Sequence, residues 1–280
     1  MMPLCYNEEK KKMGCNRMDM SYILGKTDEK PLDRLVEDGG FCGILRKIAC
    51  VGDSLSSGEF ESFDAEGKKV YLDYYDYSWG QYLARMAGLS VYNFSRGGMS
   101  AKWFTESWGE ENGCWDKEKA ANAYILALGV NDMNDKSLEM GSVADVCLED
   151  HHQNKPTFAG YYAKIIQRYK EIQPEAKFFL MTIPRGSEGD SKAELKEAFS
   201  QLIRDIAGLF ENTYLLDFRK YAPAYDEEFM QAFYLEGHLN AAGYLLTARM
   251  VASYIDYIIR HDQAAFKQVG LMGTPYFRKL

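Results

Sequence analysis

The feature that most restricts the fold of this chain is a set of short apolar runs, each ending in glycine and small polar residues, with helix-like stretches between them. The clearest run is Lys47-Ile48-Ala49-Cys50-Val51-Gly52, followed directly by Asp53 and Ser54. Its residues are apolar in succession rather than in alternation, as in an internal strand of a parallel sheet buried on both faces. A second run, Ala123-Tyr124-Ile125-Leu126-Ala127-Leu128, stops in the same way at Gly129. Further strand signals lie over residues 90–93, 177–182 and 213–217. Helical patterns fill the gaps: residues 78–87 with Ser78 as cap and Gly88 as stop, 158–172 with Thr157 as cap, 191–210, and 240–261. Alternating strands and helices imply an α/β fold, with a parallel sheet, right-handed crossovers and helices on both faces.

At 280 residues with 46% hydrophobic content, the chain can bury a large core, and nothing in it reads as a linker between two domains. The net charge of -8 is spread along the chain without a basic face, which argues against nucleic acid or an anionic membrane as partner. The first residues carry charge early and lack the apolar core of a signal peptide, and no run is long enough to span a bilayer. A soluble, cytoplasmic protein is the expectation. Six cysteines (Cys5, Cys15, Cys42, Cys50, Cys114, Cys147) form no CxxC pair and read as reduced thiols. The histidines are His151, His152, His238 and His261, none at ligand spacing from a cysteine pair, so no metal is expected; His151-His152 reads as a solvated loop.

A serine at the carboxyl end of a central strand stands where open α/β sheets bind ligands. Acyl transfer by such a serine needs a base for its proton and donors for the oxygen that becomes negative. Ser54 offers the hydroxyl and its own backbone N–H. Gly98, beyond the second strand, has no side chain to obstruct its N–H, and Asn131, beyond the third, offers a side-chain amide. His238, in the turn before the last helix, is the histidine placed to reach the strand ends, and so the candidate base. Asp53 reads as a turn residue bonding nearby backbone. Arg96 and Arg185 are candidates for an anionic substrate group, though surface positions suit both.

Together, Gly52-Asp53-Ser54-Leu55, Asn93-Phe94-Ser95-Arg96-Gly97-Gly98, Gly129-Val130-Asn131-Asp132 and the late His238 resemble the four blocks of the SGNH hydrolase superfamily, the GDSL-type esterases and lipases. The resemblance spans roughly residues 47–259. It implies a three-layer α/β/α sandwich with a five-stranded parallel sheet, the flavodoxin-like SGNH hydrolase fold, and no cofactor. It also implies Ser54 as nucleophile, His238 as base, and Ser54 N–H, Gly98 N–H and the Asn131 side chain as oxyanion hole.

The chain departs from the family at one place. An aspartate usually stands three residues before the histidine, where this chain has Leu235. Three sources for the orienting group remain open: Glu236 through a different local turn, which is preferred; Asp226, Glu227 or Glu228 from the preceding loop; or a backbone carbonyl. The expected organisation is an N-terminal arm or strap over residues 1–45, a hydrolase domain over 46–262, and a tail over 263–280 packed on the same domain. Residues 59–76, acidic and rich in tyrosine, and residues 133–156 read as loops overhanging the site. The expected activity is hydrolysis of a carboxylic ester through an acyl-enzyme on Ser54. A short acyl group, such as acetyl on a sugar, is preferred, because the rims carry tyrosine and tryptophan. A long-chain lipase or thioesterase, and a non-catalytic carbohydrate-binding protein that keeps the fold, are the alternatives.

Overall fold

The computed structural model describes residues 20–25 and 28–279. In chain order the strands are β1 (Lys47–Gly52), β2 (Glu59–Phe63), β3 (Lys69–Asp73), β4 (Ser90–Ser95), β5 (Ala123–Ala127), β6 (Lys177–Met181), β7 (Thr213–Leu216), β8 (Tyr234–Leu235) and β9 (His238–Leu239). Five of them form the central sheet, in the order β4-β1-β5-β6-β7, and every pairing within it is parallel. Counting these five along the chain, the order is 2-1-3-4-5, so the winding reverses between β1 and β5. The carboxyl ends of strands flanking such a reversal open a crevice. Ser54 follows β1 directly.

The two faces of the sheet bury different side chains because successive residues of a strand point to opposite sides. Ala49, Val51, Tyr124, Leu126, Phe178 and Leu180 pack beneath the helices Phe158–Ile172 and Ala193–Ala207. Ile48, Cys50, Ile125 and Phe179 pack beneath Trp79–Ala87 and Ala241–His261. The result is the α/β/α sandwich, with its five-stranded parallel sheet, that the motifs imply. Ser78, Thr157 and Asn240 each cap a helix, accepting a hydrogen bond from the backbone N–H of Gln81, Gly160 and Gly243 respectively. Element ends differ from the periodicity by a few residues; the helix expected over 191–210, for example, is Ala193–Ala207.

One expected loop is a ribbon. Residues 59–73 form an antiparallel hairpin in which Glu59 faces Asp73 and Glu61 faces Tyr71. Its turn is closed by Asp64, whose side chain accepts from the N–H groups of Glu66 and Lys68, and by Gly67 at φ 78°. Phe60 anchors the ribbon, with its ring 5.6 Å from Tyr77 and Tyr244 and 5.8 Å from Tyr74. The helix Glu227–Phe233 and the two-residue strands β8 and β9 also lie in what reads as loop.

Residues 28–45 cross the helix Ala241–His261. Val36 N–H donates to Ser253 Oγ at 2.9 Å, Phe41 N–H to Asp256 Oδ1 at 2.8 Å, and Arg260 pairs with Glu29. At the other end Phe266, Val269 and Met272 are buried in the core of the same face. Among the described residues no helix is long and apolar enough to cross a membrane. Cys42, Cys50, Cys114 and Cys147 are free thiols, and Cys5 and Cys15 lie outside the described residues.

Candidate active site

Ser54 opens a single helical turn, Ser54–Ser57, whose cap is Asp53. The Asp53 carboxylate accepts from Leu55 N–H at 3.0 Å, and its carbonyl accepts from Ser56 and Ser57, so it serves the turn itself. Gly52 lacks a Cβ because one there would overlap the hydroxyl of Ser56. The buried Tyr244 hydroxyl lies 2.6 Å from the carbonyl oxygen of Glu59 and 3.1 Å from that of Ser54, tying the serine turn to the start of β2.

The second and third blocks are joined to one another through the residues that follow β4 and β5. Gly98 has φ 73°, a conformation that favours glycine, and the space where a Cβ would stand is open. Asn131 donates one amide hydrogen to the Met99 carbonyl at 2.9 Å, which leaves its second N–H for another acceptor. Its neighbour Asp132 accepts from Ala101 N–H through both oxygens, at 2.9 and 3.1 Å.

Asp132 is 1% exposed, and burial pushes its carboxyl up to about 7, against the opposing pull of the backbone N–H groups of Ala101 and Lys102. Burial acts on Asp53 in the same sense, raising it to about 6. A carboxyl whose folded-state value lies above the unfolded one keeps a proton that the unfolded chain releases. The contribution of Asp132 to stability is therefore full below about pH 3.8 and declines as pH rises to about 7. The urea midpoint measured from pH 4 to 8 should fall less with rising pH in Asp132→Asn than in the wild type.

His238 lies on β9, and both of its ring nitrogens meet carboxylates from the same strand. Nδ1 is 2.8 Å from Glu61 Oε2, and Nε2 is 3.2 Å from Glu59 Oε1. Residues two apart on a strand share a face, so β2 sends both glutamates to the imidazole while Phe60 points into the core. Glu61 is 3% exposed. It also accepts from Gly237 N–H at 3.2 Å and pairs with Lys69 from β3. The hydrogen bond and charge of Lys69 hold the Glu61 carboxyl below its ordinary value, with His238 acting in the same direction. Tyr71 sets its ring edge-on to the imidazole, with centroids 5.7 Å apart.

Glu236, the preferred orienting acid, is exposed in the two-residue turn between β8 and β9, at φ 56°, and the structure gives Nδ1 to Glu61 instead. Leu235 and His238 are cross-strand partners in that turn. Asp226 caps the helix Glu227–Phe233, accepting from Phe229 N–H, and Glu227 and Glu228 lie in that helix's first turn. Arg185 donates to the Ala222 carbonyl, whereas Arg96 stands on the rim, paired with Asp73. His151 lies against Glu171 and the ring of His152. Glu59, Glu61, Lys69 and Tyr244 were not singled out by sequence reasoning. The available signal was the pair Glu59 and Glu61 around an aromatic residue, which on a strand places both acids on one side.

The family model for GDSL-like Lipase/Acylhydrolase matches residues 50–246, more than half of the chain. Among solved structures, the chain is similar to a Corynascus thermopiles (Myceliophthora fergusii) carbohydrate esterase family 2 enzyme with a carbohydrate binding domain. That match has TM-score 0.53 and 16% identity, over 79% of this chain and 67% of that one. It is similar to a family two carbohydrate esterase from Clostridium thermocellum in complex with cellohexaose, with TM-score 0.53 and 15% identity, over 79% and 65% of the two chains. An acetyl xylan esterase, AlAXEase, aligns with TM-score 0.50 and 18% identity, over 75% and 99%. No curated protein matches the chain. With its sheet order and the family match over residues 50–246, the chain belongs to the GDSL-like lipase and acylhydrolase family and is an ester hydrolase of the SGNH superfamily.

Proposed function

We propose that the chain is a serine esterase in which Ser54 is the nucleophile, His238 the general base and Glu61 the acid that orients it. The observation that carries this reading is the partly buried contact between Glu61 Oε2 and His238 Nδ1, at 2.8 Å, in a ring whose other nitrogen, Nε2, lies 3.2 Å from Glu59 Oε1. A carboxylate on Nδ1 fixes the tautomer and steadies the imidazolium that forms when Nε2 takes the serine proton. Ser54 Oγ then attacks the ester carbonyl, and the oxyanion is met by Ser54 N–H, Gly98 N–H and the second N–H of Asn131. His238 gives the proton to the departing alcohol, and water releases the acyl group by the same route in reverse.

A short acyl group, acetyl foremost, is the preferred acyl half. Beside the serine turn lies an apolar hollow of about 60 Å³, lined by Leu55, Val130, Ile183, Pro184 and Leu239 among others. A water-sized group needs roughly 10–15 Å³ on that measure, so the hollow suits a few heavy atoms better than a long chain. The likeness to carbohydrate esterases supports a sugar as the alcohol half. A reducing, cytoplasmic setting belongs to the same reading, supported by the free thiols of Cys42, Cys50 and Cys114, all buried.

The test is labelling with a fluorophosphonate followed by peptide mapping, together with rates on p-nitrophenyl acetate and octanoate. Modification at Ser54 and at least about a tenfold preference for acetate are expected, since each methylene that does not fit weighs on the rate. An unmodified Ser54 in the folded protein would favour the non-catalytic alternative. A preference for octanoate would favour the lipase or thioesterase.

A further inference from the structure

In the proposed relay of Ser54, His238 and Glu61, a second carboxylate stands at the base. Glu59 Oε1 is 3.2 Å from His238 Nε2, the nitrogen that must exchange protons with Ser54 and with the departing alcohol. Its position is built in. The Glu59 carbonyl is held by the Tyr244 hydroxyl at 2.6 Å, and its side chain, 14% exposed, lies over Gly97, where any Cβ would overlap the carboxylate. The charged groups around it are His238 on β9, Asp73 on β3, Arg96 after β4, Glu61 on its own strand and Asp53 at the serine turn. A carboxylate here competes with the serine for Nε2, which is a handicap for hydrolysis of a simple alkyl ester. It also borders the space that the alcohol half must occupy, because the ester oxygen has to come within hydrogen-bond reach of Nε2 to leave.

We propose that Glu59 reads the alcohol half of the substrate, accepting a hydrogen bond from a hydroxyl on the carbon next to the esterified oxygen. The substrate class is then the monoacyl ester of a vicinal diol, as in a partly acylated sugar or polyol. A carboxylate accepts and does not donate, so it selects a hydroxyl donor over an ether or alkyl group at that position. An oxygen one carbon–carbon bond from the ester oxygen lies within reach of a group that itself touches Nε2. Engagement by that hydroxyl draws the carboxylate off the ring and leaves Nε2 to Ser54, which a simple ester cannot do. Tyr71, 57% exposed and edge-on to the imidazole, gives the flat wall beside which a sugar ring would lie. This inference rests on the serine-esterase reading.

The experiment compares 2-hydroxyethyl acetate with 2-methoxyethyl acetate, in which a methyl group replaces the donating hydrogen on the neighbouring oxygen; the Glu59 variants separate loss of donation from the added bulk. In the wild type kcat/KM should favour the hydroxyl compound. In Glu59→Gln, and more so in Glu59→Ala, that preference should shrink about 10–100-fold, with the methoxy compound hydrolysed as fast as before or faster. A preference unchanged in both variants, or equal losses on both esters, overturns the role assigned to Glu59. Fluorophosphonate labelling of Ser54 in each variant shows that the site is assembled. If the wild type hydrolyses neither ester and takes no label, the esterase reading itself falls, and this inference with it.

Discussion

Glu61→Gln is expected to lower kcat on p-nitrophenyl acetate by about 10³–10⁴-fold, with KM changed little. The amide cannot hold the charge that steadies an imidazolium, and by presenting its NH₂ group to Nδ1 it favours the tautomer with the proton on the wrong nitrogen. It also removes the anion that pairs with Lys69, so the variant's thermal midpoint should be measured beside its rate. A folded variant with the lost rate separates orientation of His238 from stability of the ribbon. The matched controls are Glu236→Gln and Asp226→Asn. Glu236 is exposed in a turn and Asp226 is committed to capping a helix, so each should stay within about threefold of the wild type. Loss of activity in Glu236→Gln with retention in Glu61→Gln would overturn the assignment.

Asn131→Ala is the second large effect, expected at about 10²–10³-fold in kcat. One amide hydrogen of Asn131 is spent on the Met99 carbonyl, which fixes the side chain so that the other hydrogen has a set direction. The same deletion frees the Met99 carbonyl and loosens the link between the loops after β4 and β5. Asp132, which holds Ala101 N–H, remains to keep those loops together. The predicted signature is therefore a fall in kcat with nearly unchanged fluorophosphonate binding before reaction and a modest change in midpoint. A variant as fast as the wild type would remove Asn131 from the oxyanion site.

The parts of the site that were legible are those with local signals. β1 is readable because a strand buried on both faces must be apolar throughout, and Ser54, Gly98 and Asn131 each follow a strand at a turn whose residue types are restricted. The ribbon was not legible. Glu59, Glu61, Lys69 and Asp73 give it the composition of a solvated loop, and a two-stranded element owes its order to what it packs on. Nothing within the ribbon says that it folds back onto a histidine 177 residues away. Reasoning by nearness in sequence favoured Glu236, two residues from His238, but the left-handed conformation of Glu236 in an exposed turn leaves Nδ1 to the ribbon.

In the proposed assignment the acid lies on the nucleophile's own segment, seven positions after Ser54, and not beside the histidine as in the four-block pattern. The site thus depends on the parity of β2. A strand has only two sides, so a shift of register by one residue would turn Phe60 and Ser62 toward the imidazole and send both glutamates to the core. Tyr244, by touching the carbonyls of Ser54 and Glu59 at once, sets the count from which that parity is reckoned. Changes of length between Gly58 and Glu61 are therefore far less permissible than changes at the ribbon's tip, where residues 64–68 can lengthen or shorten without altering which side of the strand faces His238.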